Sequence, residues 1–191
     1  MQNKTLFIGA THGDESIGVE VLEKLGETRS DFDWMVGNPE AFKVNQRFLE
    51  FDLNRIFPGD SNSKYFEQRQ AAKIVSISQK YNYCVDIHST VANTGIVIII
   101  ANPSKQNLEL AGLFDIENII VWQSTSKRKT GPLTQFVPCG IEIECGPCGT
   151  DSLANELRGA LIDFLENTKA KKRKKQNQKI YTVYGKLFGN E

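Results

Sequence analysis

Lys4-Thr5-Leu6-Phe7-Ile8-Gly9-Ala10-Thr11-His12-Gly13-Asp14-Glu15 is the stretch on which the fold turns. Its first half is short and apolar, as a buried strand is. Glycines then bracket a turn, and Ile17, Val21, Leu22 and Leu25 recur at helical spacing until Gly26 stops them. Strand, tight turn and helix open a βα unit. Apolar runs go on alternating with amphipathic segments through most of the chain, which predicts an α/β layer fold with helices covering a largely parallel sheet.

Working outward, residues 32–36, 83–87, 118–122 and 140–145 read as further strands. The run 95–101, with four isoleucines and a valine, reads as a central one. Helices are expected over 65–80, with Phe66, Ala72 or Ile74, and Ile77 inward, around 108–113, and over 152–167, with Leu153, Leu157, Leu161 and Phe164 or Leu165 inward. Residues 45–58 read as an irregular loop rich in polar chemistry, of the kind found beside a site. The chain divides into one domain over 1–168, a basic linker over 169–179, and the start of a C-terminal β element over 180–191.

With 191 residues, a single sizeable core is the expectation. Lysine plus arginine equal aspartate plus glutamate at 23 each, so no overall field favours nucleic acid or an anionic membrane. No apolar run approaches the roughly 20 residues of a membrane span, and the N-terminus lacks a signal-peptide pattern. A cytoplasmic protein with neither nucleic-acid nor membrane partners follows, its four cysteines reduced. The sequence carries no feature that sets an oligomeric state.

Only two histidines occur, each at the tip of an apolar segment: His12, followed by Glu15, and His88 in Asp86-Ile87-His88-Ser89. Two imidazoles and a carboxylate are the ligand set of a catalytic zinc with a position left for water. In a parallel sheet the carboxyl ends of neighbouring strands share one rim, which allows His12 and His88 to meet. An isolated histidine is more often a polar residue at a loop start, but here both have acidic neighbours. Asp86 serves either to hold a ring nitrogen or to cap its turn. Glu142 and Glu144 share a strand face, and periodicity does not separate them as the base that a hydrolase needs. Arg47 and Arg55 suit carbonyl polarisation and carboxylate capture, with surface ion pairing to Glu50 or Asp52 as the plainer alternative.

The segments Gly9-Ala10-Thr11-His12-Gly13-Asp14-Glu15, Gly37-Asn38-Pro39, Arg47, Asp52-Leu53-Asn54-Arg55-Ile56-Phe57, Asp86-Ile87-His88-Ser89 and Glu144-Cys145-Gly146-Pro147 resemble, in order, the aspartoacylase and succinylglutamate desuccinylase family, relatives of zinc carboxypeptidases. The resemblance covers about residues 5 to 150. It implies that His12, Glu15 and His88 bind one zinc, Glu144 activates water, Arg47 polarises the scissile carbonyl, and Asn54 with Arg55 holds a substrate carboxylate. It also implies a carboxypeptidase-like mixed sheet of about eight strands between helices, with the usual C-terminal β domain largely missing. The expected activity is zinc-dependent cleavage of the amide bond of a small N-acyl amino acid. Two departures stand out. The tyrosine drawn from the C-terminal domain has no matching position beyond Tyr181 or Tyr184, and an arginine expected before the strand of Glu144 aligns with none of Lys127, Arg128 and Lys129.

Other readings compete. A metallocarboxypeptidase acting on peptide C-termini would share the zinc and the carboxylate clamp. Cys145-Gly146-Pro147-Cys148 resembles the active-site turn of thioredoxins and allows a thiol-disulfide oxidoreductase. A zinc-binding protein without turnover is a further alternative. The basic run 169–175 lacks interleaved aromatics and reads as a solvated linker.

Overall fold

The computed structural model describes residues 4–122, 129–147, 149–170 and 177–184. Within them the strands are β1 (Thr5–Gly9), β2 (Asp33–Val36), β3 (Tyr83–Ser89), β4 (Gly95–Ile100), β5 (Asn118–Val121), β6 (Gly140–Gly146) and β7 (Lys179–Thr182). The helices are α1 (Ile17–Gly26), α2 (Pro39–Lys43), α3 (Leu53–Ile56), α4 (Phe66–Ser78), α5 (Lys105–Ala111) and α6 (Asp151–Ala170). One sheet orders the strands β2-β1-β3-β6-β4-β5-β7. The first four run parallel, β4 opposes β6, and β5 and β7 run with β4. Described strands number seven where about eight were expected. The isoleucine-rich β4 is interior, flanked by β6 and β5, while β6 holds the middle place.

Strand alternation gives the sheet two unlike faces. Phe7, Val85, Ile87, Ile96, Ile98, Ile100, Ile141 and Ile143 point toward α1, α5 and α6, where they join Leu22, Leu25, Leu110, Leu157 and Leu161. Phe164 of α6 sits at the hub: it stacks on Phe114 at 4.2 Å and meets Phe7 and Tyr83 edge-on. The opposite face carries a smaller cluster of Leu6, Ile8, Cys84, Leu53, Phe57, Ala71 and Ile74 under α3 and α4. Beyond Cys84 that face turns polar.

Three expectations change. The loop 45–58 contains the one-turn helix α3, capped by Asp52, whose side chain accepts from the Asn54 N–H. The inward stripe of α4 is Glu67, Gln70, Ala71, Ile74 and Ser78, so that of the residues expected inward Ile74 is buried while Phe66, Ala72 and Ile77 are half-buried, and three polar residues share the buried side. The segment expected to start a separate C-terminal β element supplies β7, which pairs in parallel with β5 as an edge of the main sheet. Among the described residues no helix is long and apolar enough to cross a membrane.

Candidate metal centre

β1, β3 and β6 are parallel neighbours, so their carboxyl ends meet on one rim. Ala10, in the left-handed region at φ 53°, turns the chain sharply out of β1. Gly13 follows His12 where no side chain fits: a Cβ would stand 2.3 Å from the Ala41 carbonyl carbon. Here the Gly13 N–H donates to the Arg47 carbonyl at 3.0 Å, bringing the loop after α2 over His12.

His12 Nδ1 lies 2.8 Å from Glu15 Oε1, His88 Nδ1 lies 3.0 Å from Glu15 Oε2, and the two Nδ1 atoms are 3.3 Å apart. Among the described residues this is the one group of three such side chains gathered closely enough to hold a metal ion. All three residues are buried. A tetrahedral zinc with bonds of about 2.0–2.1 Å separates its donors by about 3.3 Å, close to the observed spacings. The rear nitrogens strengthen the fit. His12 Nε2 faces Asp52 Oδ1 at 3.1 Å, and His88 Nε2 faces Asp86 Oδ2 at 3.1 Å, the latter near in distance but misaligned for a hydrogen bond. Thr11 Oγ1 donates to Asp86 Oδ1 at 2.7 Å and holds that carboxylate in place. Carboxylates behind ligand imidazoles fix their tautomer and raise their basicity.

Burial opposes protonation of His12, but Asp52 and Glu15 outweigh it and raise its pKa. His88 is raised well above the usual histidine value by Asp86 and Glu15, again against burial. Burial likewise opposes ionisation of Glu15, yet the two imidazoles hold its carboxyl far below the usual range. The cage therefore favours a cation, and protons compete with a metal for it.

Arg47 Nη1 donates to Glu15 Oε1 at 3.0 Å, and Nη2 stands 3.1 Å from His12 Nε2. That nitrogen cannot donate to Asp52 and accept from Arg47 at once. Were a metal held through Nδ1, the ring proton would sit on Nε2 and donate to Asp52. Glu144 pairs with His88 across β3 and β6, while Glu142 pairs with Asp86 one layer deeper and accepts from Thr134 Oγ1 at 2.9 Å. Register thus distinguishes two carboxylates that periodicity left equivalent. Burial raises the pKa of Glu144, with Glu15 and Glu142 adding to it and His88 and His12 pulling it down. Asn54 is buried with no partner for Oδ1 among the described residues, and exposed Arg55 donates to the Asn54 carbonyl at 3.0 Å.

Cys145 belongs to the apolar face, away from His88 and Glu144, and burial pushes its thiol up to about 12, the reverse of an activated thiolate. Cys148 lies outside the described residues, as do Lys127, Arg128 and residues 171–175 of the basic run; Lys129 is exposed. Tyr181 and Tyr184 are exposed at or just beyond β7, three strands from β6. Sequence reasoning missed the Asp52 contact with His12. The signal was an Asp-Leu-Asn cap pattern inside a segment read as loop.

A mixed sheet between helices, with this cluster on its rim, defines the zinc carboxypeptidase-like class of fold. Residues 1–160 match the family described as "Succinylglutamate desuccinylase/Aspartoacylase catalytic domain", and the chain belongs to that family. Similar proteins include a "Probable aspartoacylase" of Nostoc sp., 31% identical over 86% of this chain and 64% of its own length. Another, of Acaryochloris marina, is 29% identical over 75% and 55%. The chain thus spans little more than half to just under two thirds of these relatives. In fold it resembles murine aminoacylase 3, at a TM-score of 0.74 and 22% identity over 88% of this chain and 65% of that one. The succinylglutamate desuccinylase of Chromobacterium violaceum superposes at 0.73 and 16% identity, over 97% and 71%.

Proposed function

We propose that the protein is a zinc-dependent hydrolase that cleaves the amide bond of an N-acyl amino acid carrying a carboxylate. The observation that carries this reading is the pair of Nδ1 atoms converging on Glu15, each ring backed by its own carboxylate, with Glu144 in register beside His88. His12, Glu15 and His88 would hold the zinc. When bound, the ion supplies Lewis acidity and a water of lowered pKa.

The remaining work falls to side chains. Glu144, whose pKa is raised by burial, takes the proton from the attacking water and returns it to the leaving amine. Arg47 turns its guanidinium to the oxygen on which negative charge develops. Arg55, with the buried amide of Asn54, receives the substrate carboxylate. The names of the similar proteins point to acylated aspartate or succinylated glutamate as the substrate class. The free, buried thiols Cys84, Cys139 and Cys145 suit a reducing compartment such as the cytoplasm.

The test is zinc content with turnover of N-acetyl-L-aspartate and N-succinyl-L-glutamate by wild type and His12→Ala. About one zinc per chain, lost together with hydrolysis in the variant, supports the reading. Zinc retained in His12→Ala overturns it. Cleavage of peptide C-termini without cleavage of either probe favours a metallocarboxypeptidase, and zinc without any hydrolysis favours a binding protein.

A further inference from the structure

Glu67 is an acid on the inward face of α4, 1% exposed, and its partners are amides. The backbone N–H groups of Leu49, Glu50 and Phe51 donate to its carboxylate at 2.6, 3.2 and 3.2 Å, and Asn38 Nδ2 approaches at 3.4 Å. Burying a carboxylate is costly unless hydrogen bonds replace its water. Here three consecutive loop amides, which irregular backbone must otherwise satisfy elsewhere, supply them. One helical turn on, Gln70 Nε2 donates to the Gly37 carbonyl at 2.7 Å, so the same stripe of α4 also holds the turn leading into α2.

The anchored amides lie between two residues of the candidate site. Only Phe48, Leu49, Glu50 and Phe51 separate Arg47 from Asp52. At one end the Arg47 carbonyl accepts from Gly13, and its guanidinium reaches Glu15. At the other, Asp52 faces His12 Nε2 and caps α3, which carries Asn54 and Arg55. Glu67 touches none of the reacting groups, yet it holds the span that presents them.

We propose that Glu67 is a positioning residue: its carboxylate sets residues 47–52 so that Arg47 and Asp52 stand against Glu15 and His12. The catalytic part of this inference rests on the function proposed above; the anchoring part does not.

Glu67→Gln keeps the volume but replaces one acceptor oxygen with a donor and removes the charge. Hydrogen exchange at the Leu49, Glu50 and Phe51 amides should quicken by about tenfold or more, with β1, β3 and β6 unchanged. Zinc affinity, read by chelator competition, should fall by about 10-fold through the loosened Asp52. With N-acetyl-L-aspartate, kcat should drop more than KM rises. In an Arg47→Ala background the same change should cost much less, because the two substitutions remove one interaction. Should Glu67→Gln fail to fold, Glu67→Asp, which keeps the charge and shortens the reach, is read by the same measurements.

Unchanged exchange at residues 49–51 overturns the proposal. So does quickened exchange with both zinc affinity and kcat intact, and so does an effect fully additive with Arg47→Ala. If wild type hydrolyses neither N-acetyl-L-aspartate nor N-succinyl-L-glutamate, the functional reading fails by itself, and exchange with zinc affinity decides the anchoring.

Discussion

Toward α1, α5 and α6, strands β3 and β6 contribute Val85, Ile87, Ile141, Ile143 and Cys145; away from them, the same strands contribute Asp86, His88, Glu142 and Glu144. Neighbours in sequence thus serve opposite ends. The apolar face is closed over by aromatic and aliphatic side chains and supplies burial, the main favourable term in folding. The polar face gathers acids and imidazoles in a partly dry place, an arrangement that opposes folding unless each charge finds a partner. A one-residue register slip would exchange the two sets, so the burial on one face also fixes the geometry on the other.

The largest effect that would sharpen this contrast is expected on the polar face. Glu144→Gln should lower kcat by about 10²–10⁴, with zinc content and melting temperature near those of wild type; wild-type turnover would remove Glu144 from the chemistry. Next comes its mirror image on the apolar face. Phe164→Ala empties the aromatic hub and should cost about 3–5 kcal/mol in denaturant unfolding, while folded chains keep their zinc affinity. A loss of affinity there as large as that of stability would break the division between faces.

A smaller effect tests the contact behind His12. Asp52→Asn preserves the cap of α3, since Asn and Asp cap equally well, but removes the charge from His12 Nε2. Chelator competition should show zinc held about 10–100-fold less tightly, with little change in unfolding. The smallest effect concerns an ion-pair cluster just beyond α1, tied to α6. Arg29 donates two hydrogen bonds to Asp31 and, with Lys169 at 2.9 Å, holds its carboxyl well below the usual range. That stabilisation is fully present above about pH 4, the unfolded value, and is lost as the pH falls through the lower folded one. Asp31→Asn should therefore cost about 1 kcal/mol at pH 7, and the gap should narrow as urea titrations are carried below pH 4. A gap that widens on acidification would contradict the assignment.

Much of this was legible in the chain. Runs such as 95–101 are too rich in isoleucine to be anything but buried strand, and two histidines at strand tips draw the eye because there are no others. What escaped reading depended on contacts distant in sequence. Glu142 and Glu144 differ only once β3 and β6 are in register. Glu67 and Gln70 drew no reading from the sequence, because their partners are backbone groups of a loop and carry no side-chain signature. α2 and α3 span five and four residues, too few for a helical period to repeat. β7 followed a lysine-rich run that reads as a boundary, and its pairing with β5 reaches back some sixty residues.

The scarcity that first pointed to His12 and His88 has an experimental use. Both rings lie in one cluster, their centroids 5.0 Å apart. Every imidazole resonance of the untagged protein therefore belongs to the candidate site, and so does every product of histidine-selective labelling. Metal loading, substrate analogues and distant substitutions can each be followed there in solution, without isotopic assignment of the whole chain.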